Sequence, residues 1–186
     1  MSRVRIQPNT APNAEAQKML DGVKAKMGTV PNIFSTFSHS PAVLEAYLGF
    51  SGALGKGKLT PAIREQIALV VAGENSCDYC ASAHTALGKM AKIEDAELTR
   101  NLNGKSSDPK TEAVLTFARQ IVEKRGMVSD SELAAVKTAG FAEAEIVEII
   151  AVVSLNIFTN YFNHIAQTEV DFPVISTTSI KKAALV

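Results

Sequence analysis

The sequence predicts an all-α protein, and three observations carry that prediction. Hydrophobic residues make up 46% of the 186-residue chain, yet aromatics are only 6% and tryptophan is absent. Alanine is abundant, and such a composition suits closely packed helices better than sheets, where β-branched and aromatic residues dominate. Apolar residues recur at helical spacing along most of the chain, and period-two alternation persists nowhere. A capping residue followed by proline, the signature of a helix start, occurs at Ser40-Pro41, Thr60-Pro61 and Asp108-Pro109.

Residues 1–13, punctuated by Pro and Asn, read as an extended N-terminal arm. Met19, Leu20, Val23 and Met27 then predict a helix over 14–27, with Gly28 as its stop. Val30-Pro31-Asn32 introduces a short apolar segment over 33–37. Ser40-Pro41 opens a helix to about residue 54, ended by Gly55 and Gly57. Thr60-Pro61 opens the next, 61–72, whose buried face is Ile63, Ile67, Leu69, Val70 and Val71. Gly73 to Ser76 breaks the pattern, and a further helix is expected from 76 to about 91. A shorter one over 94–102 follows, then a loop at Asn103-Gly104 and Ser106-Ser107. Asp108-Pro109 starts a helix ending near Lys124, with Gly126 beyond it. The segment 130–138, closed by Gly140, and the long stretch 142–167 complete the set. The total is about seven or eight helices in a single domain over 1–186. The tail, 169–186, has β-branched residues and Pro173 but no period, and is expected to be irregular and to pack across a neighbouring subunit.

Formal net charge is +0, so nothing suggests a nucleic-acid or other polyanionic partner. The N-terminus has no apolar run of the kind a secretory leader needs. The longest apolar stretch, 146–162, is interrupted by Glu148, Asn156 and Asn160, and reads as a buried central helix rather than a membrane span. The expectation is a cytoplasmic protein. In that compartment a C-x-x-C does redox or metal chemistry more often than it staples a fold.

The chemistry concentrates in Glu65 to His84. That stretch holds the two cysteines of the chain, Cys77 and Cys80, and one of its three histidines, His84, four residues after Cys80. Positions 77, 80, 84 and 88 share one helical face. If 61–72 and the following helix fold back about Asn75, Glu65 falls beside His84. A thiol reacts as thiolate, and three features favour that form here. They are the positive end of a helix beginning near Cys77, the imidazole one turn beyond Cys80, and a carboxylate that orients this imidazole. A second thiol within reach then closes a disulfide and keeps the first off the irreversible oxidation states.

Other readings of these residues remain open. Two small buried hydrophobes would account for the cysteines. A zinc site would need a fourth ligand, with only His39 and His164 left to donate. His164 lies near Asn156, Asn160 and Asn163 toward the end of the long helix, a structural or interfacial patch set outside the site. Gly55-x-Gly57 is too short for a phosphate loop, so neither a cofactor nor a metal is expected.

Glu65, then Cys77 twelve residues on, then C-D-Y-C-A-S-A-H ending at His84, resembles the active-site motif of the alkylhydroperoxidase AhpD family. That family lies within the carboxymuconolactone decarboxylase-like superfamily. The resemblance is close over about residues 60–90, and V-P-N-I-F near residue 32 is similar to the peroxidase-related group. It implies an AhpD-like helical bundle in a homo-oligomer, trimer or hexamer, that reduces alkyl hydroperoxides or hydrogen peroxide at the expense of a dithiol or protein electron donor. By the family pattern Cys80 would be the peroxidatic cysteine, Cys77 the resolving one, and Glu65 with His84 the proton relay. Tyr79 stands where some members carry a further His, which removes one proton carrier. The helix dipole alone would favour Cys77 as the more acidic thiol; the family pattern and the His84 spacing favour Cys80. The alternatives are a decarboxylase-like lyase, whose catalysis needs no C-x-x-C, and a non-catalytic redox-sensing oligomer.

Overall fold

The computed structural model describes Arg3 and residues 13–178. The rest of the expected arm, and 179–186 of the tail, lie outside the described residues. Among the described residues there is no strand. The described residues form nine helices: α1 (Ala14–Met27), α2 (Asn32–Phe37), α3 (Pro41–Leu54), α4 (Pro61–Glu74), α5 (Asp78–Met90), α6 (Asp95–Leu102), α7 (Pro109–Glu123), α8 (Asp130–Thr138) and α9 (Glu143–Ala166). The count exceeds the expected seven or eight by the short α2. Six residues are too few for a 3.6-residue period to repeat, and Ile33 to Phe37 are all buried, so no polar face marked it as helical.

Capping explains most boundaries. The Asn13, Thr60 and Asp108 side chains accept from the backbone N–H groups of Ala16, Ile63 and Thr111. Ser129 and Glu132 form a reciprocal capping box at the start of α8. Ser40 takes the N-cap position of α3 as expected, but its side chain makes no capping bond there.

Helix α4 is the hub, packing against α5, α6, α7 and α9. Its residues from Gln66 to Gly73 are buried in succession, because a helix apolar on every side can be satisfied only by partners on every side. Ile67, Val70 and Val71 pack with Val114, Phe117, Ile149 and Val153 of α7 and α9. Leu69 and Ala72 face the other way, toward Phe37, Leu44, Cys77 and Cys80. Helix α9 is long and apolar enough to cross a membrane by length and composition. It packs instead along α3, α4, α5 and α7, as the broken apolar pattern predicts.

The α4–α5 turn is pinned from both sides. Gly73 leaves no room for a side chain, since a Cβ there would run into the Leu102 carbonyl oxygen of α6. Ser76 takes a left-handed φ of 55°, and the Cys77 N–H donates back to the Ala72 carbonyl at 2.9 Å. From α9, His164 Nε2 meets the Asn75 carbonyl at 2.8 Å, while Asn75 Nδ2 donates to Asn160 Oδ1 at 3.0 Å.

The tail departs from expectation over 169–178, where it lies on its own chain. The Ile175 N–H donates to Ser82 Oγ, and the N–H and hydroxyl of Thr177 both donate to Asp78 Oδ1. Asn32 donates to Asp171 and to the Glu169 carbonyl. Asp78 and Ser82 of α5 accept the tail's N–H groups, and a count of apolar spacing does not register such bonds.

Glu148 of α9 ties down the loop that feeds α4, accepting from the N–H groups of Lys58 and Leu59 at 2.7–2.9 Å. The Leu59 and then the Lys58 N–H hold its carboxyl below the ordinary 4.5. A depressed carboxyl stabilises the fold fully above its unfolded value, and this contribution disappears as pH falls through the folded one. Glu148→Ala is therefore expected to lower the melting temperature by a few degrees at pH 7 and by much less at pH 3. A gap between the two proteins that stays constant across this range would refute the linkage.

Candidate active site

The cysteine pair sits where α5 begins. The helix starts at Asp78, two residues later than expected, because left-handed Ser76 cannot continue into it. Cys77 is consequently the N-cap rather than a first-turn residue, and its Sγ accepts the Cys80 N–H at 3.3 Å. That bond is the local form of the helix-dipole argument. The two sulfurs are joined as a disulfide, with Cα atoms 5.3 Å apart, and each residue is 2% exposed.

The hairpin brings Glu65 and His84 together as the turn count predicts. Glu65 Oε2 lies 2.7 Å from His84 Nδ1, with side chains 21% and 19% exposed. An Nδ1–H donated to the carboxylate fixes the ring's tautomer and leaves Nε2 as the nitrogen that exchanges protons. All four expected residues thus converge on one hairpin.

A cavity of about 60 Å³ lies against the pair, lined by Cys80, His84, Tyr79, Phe34, Tyr47 and Asn163 among others. Cys77 does not line it. A water-sized probe needs roughly 10–15 Å³, so the space suits the reactive end of a small molecule. It falls well short of the ~300 Å³ or more of a drug-sized pocket. A second cavity of about 70 Å³ is bordered by Glu65, Arg64, Ser51 and Asn156. His84 and Tyr47 border both spaces, so the Glu65–His84 pair stands between them. A larger groove of about 560 Å³ between α7 and α8 contains none of the four residues.

Two tyrosines fix the walls. Burial, then the charge of Glu65, pushes the Tyr47 hydroxyl up to about 12, so it faces the pair as a neutral phenol. Burial raises Tyr79 further, the Asp171 carboxylate adding to the effect. Its oxygen accepts the Ile33 N–H at 3.2 Å, and its ring meets Phe172 edge-on with centroids 5.9 Å apart. Tyr79 is a strut that holds α2 and the tail onto α5, with a proton too tightly held for a relay.

The asparagine patch set aside in the sequence belongs in part to the site. Asn163 Nδ2 donates to Cys80 Sγ at 3.3 Å, and Asn163 lines the same cavity. The available signal was Asn156, Asn160 and Asn163 on one face of an apolar helix, since buried polar residues at helical spacing ask for partners. His164 instead braces the turn. Among the described residues no cluster of three or more His, Cys, Asp or Glu could hold a metal ion.

The helical fold is similar to that of AhpD-like proteins. Residues 41–124 match the family model of the carboxymuconolactone decarboxylase family, a span that includes Glu65, Cys77, Cys80 and His84. Among solved structures, the chain is similar to a peroxidase-related protein of Ralstonia eutropha JMP134 with an alkylhydroperoxidase AhpD core, at 24% identity and TM-score 0.83, covering 91% of this chain and 92% of that one. A peroxidase-related protein of Silicibacter sp. TM1040 is similar at 23% identity and TM-score 0.80, covering 89% and 90%. The debrominase Bmp8 in complex with 2,3,4-tribromopyrrole is similar at 16% identity and TM-score 0.77, covering 97% and 95%. At such identities the likeness is one of fold. No curated protein matches the chain.

Tyr79→Phe strips the partner from the Ile33 N–H, a helix-start donor with no bond within α2. Leaving a buried donor unpaired costs about 1–3 kcal/mol, and denaturant unfolding should show a loss of that size. Unchanged stability would mean that the hydroxyl is not the strut described.

Proposed function

We propose that this chain is a thiol-dependent peroxidase that reduces alkyl hydroperoxides or hydrogen peroxide through Cys80 and Cys77. The observation that carries this reading is that Cys80 lines the small cavity that His84 also borders, while Cys77 does not line it. Cys80 is the attacking thiol. Its proton passes to His84, whose imidazolium is stabilised by the Glu65 carboxylate at 2.7 Å. The sulfur–oxygen bond forms as the oxygen–oxygen bond breaks, the leaving alkoxide takes the proton from His84, and the alcohol departs. The Cys77 thiol then attacks the sulfenic sulfur of Cys80, releasing water and closing the disulfide. A reduced external dithiol, free or carried on a protein, restores both thiols and is itself oxidised.

The backbone bond to the Cys77 sulfur supports the alternative order, in which Cys77 attacks. A sulfur that does not reach the cavity meets no peroxide, so access outweighs a partial charge worth at most ~2 kcal/mol. A lyase reading accounts for the fold but leaves the dithiol without a role. Cytoplasmic surroundings suit the scheme, because a reducing pool there can recharge the pair.

A homo-oligomer is part of the same proposal. Phe50 of α3 and Phe158, Tyr161 and Ile165 of α9 are 42–68% exposed, and a second copy of the chain would take these apolar side chains out of water.

Three experiments test this reading. General acid–base help from one positioned side chain is worth roughly 10²–10⁴ in rate. His84→Ala and Glu65→Gln should each slow peroxide turnover by about that order, and Cys80→Ser should abolish it. Dimedone should label Cys80 in Cys77→Ser after one equivalent of peroxide; label at Cys77 in Cys80→Ser alone would reverse the roles. Oxidation without turnover by any dithiol would favour a sensor. Light scattering should return a multiple of the 19.8 kDa chain mass, and the monomer mass would end the oligomer proposal.

A further inference from the structure

Asn163 lies outside the family-matched span, 41–124, and outside the four residues the sequence singles out. Its side chain is 5% exposed. One end of the amide is used: Nδ2–H donates to Cys80 Sγ at 3.3 Å. The other end is not, for Oδ1 is buried and has no hydrogen-bond partner among the described residues. Burying an unpaired carbonyl is unfavourable, and such groups in a folded protein call for an explanation. This one belongs to a residue that lines the cavity beside the sulfur.

We infer that Asn163 is a further catalytic residue, one that holds Cys80 as thiolate through Nδ2–H and seats the hydroperoxide through Oδ1. The inference rests on the peroxidase reading for its second half only. A disulfide or thiol sulfur is a weak acceptor, whereas a thiolate is a charged one, and hydrogen bonds to charged groups are the stronger kind. The Nδ2–H bond therefore strengthens on reduction, when a nucleophile is needed. Cys77 receives a backbone N–H instead, so Asn163 acts on one sulfur of the pair. Oδ1 can only accept, and the oxygen a thiolate attacks in a hydroperoxide is the one that carries the proton. Accepting that O–H places this oxygen next to the sulfur, because both contacts run to a single planar amide. The oxygen–oxygen bond then breaks toward the alkoxide, which is protonated from His84. A dialkyl peroxide, with no O–H to donate, leaves Oδ1 unpaired and is a poor substrate.

The titratable groups that line the cavity with Cys80 are His84 on its own helix, Tyr47 from α3 and Tyr79 beside it; Glu65 of α4 acts on it only through His84. The test varies Asn163 alone, in the full-length Cys77→Ser protein. Asn163→Leu keeps the shape and removes both ends of the amide; Asn163→Asp keeps an acceptor and removes the donor. The rate of Cys80 alkylation by iodoacetamide, followed against pH, should show its midpoint raised by about one to two pH units in Asn163→Leu. In Asn163→Asp, where a carboxylate repels the thiolate, the midpoint should also rise. At a pH above both midpoints, sulfenic acid formation with tert-butyl hydroperoxide should still be about tenfold slower in Asn163→Leu. An unchanged midpoint in both variants, even with a lowered melting temperature, overturns the donor role and leaves Asn163 structural. An unchanged rate at high pH overturns the acceptor role. If the Cys77→Ser parent is itself not oxidised by the hydroperoxide while the midpoint still moves, the peroxidase reading falls, and the Oδ1 assignment with it. The Nδ2 assignment then stands.

Discussion

The contact on which the site depends is the 2.7 Å bond between Glu65 and His84. It joins residues on two helices, and it forms only if the register of the α4–α5 hairpin is held to within a fraction of a turn. A helical residue advances about 1.5 Å along the axis and about 100° around it, so a slip of one position would carry the carboxylate off the imidazole. Much of the surrounding structure prevents that slip. Gly73 lets α6 approach so closely that its Leu102 carbonyl occupies the space of a side chain. Asn75, at the apex, is held by Asn160 and His164 of α9. The tail caps the outer face of α5 through Asp78 and Ser82.

The same packing sets the electrostatics. Both sulfurs are withdrawn from water, and in such surroundings each remaining polar contact counts for more than it would at the surface. Cys77 has a backbone N–H, Cys80 has the Asn163 amide, and Cys80 alone lines the cavity. Tyr47, kept neutral by burial and by Glu65, closes the wall between the two small spaces. The chain therefore holds a buried dithiol of which Cys80 alone borders a cavity, next to a carboxylate–imidazole pair that stands between the two small spaces.

Much of this was legible in the sequence because it is local. Cap-plus-proline pairs and apolar spacing gave α1, α3, α7 and α8 nearly to the residue, and counting outward from Asn75 placed Glu65 beside His84. What escaped was either too short or too distant for a period to register. Helix α2 is buried on every side and lasts six residues. The start of α5 moved because a single left-handed Ser76 made Cys77 a cap. The tail's docking, by hydrogen bonds and by the packing of Val170, Phe172 and Ile175, joins residues nearly a hundred positions apart. Asn163 reaches Cys80 across 83 positions; the asparagine stripe on α9 announced buried polar groups without saying what they would meet.

The central claim is that one chain reduces one peroxide with its own two thiols. The most direct measurement is intact-mass spectrometry of the fully reduced protein after one equivalent of an alkyl hydroperoxide, with the released alcohol quantified alongside. The account predicts loss of two hydrogens per chain, an intramolecular Cys77–Cys80 disulfide, and one alcohol for each peroxide consumed. Disulfide-linked dimers alone, or peroxide consumed with both thiols intact, would contradict it.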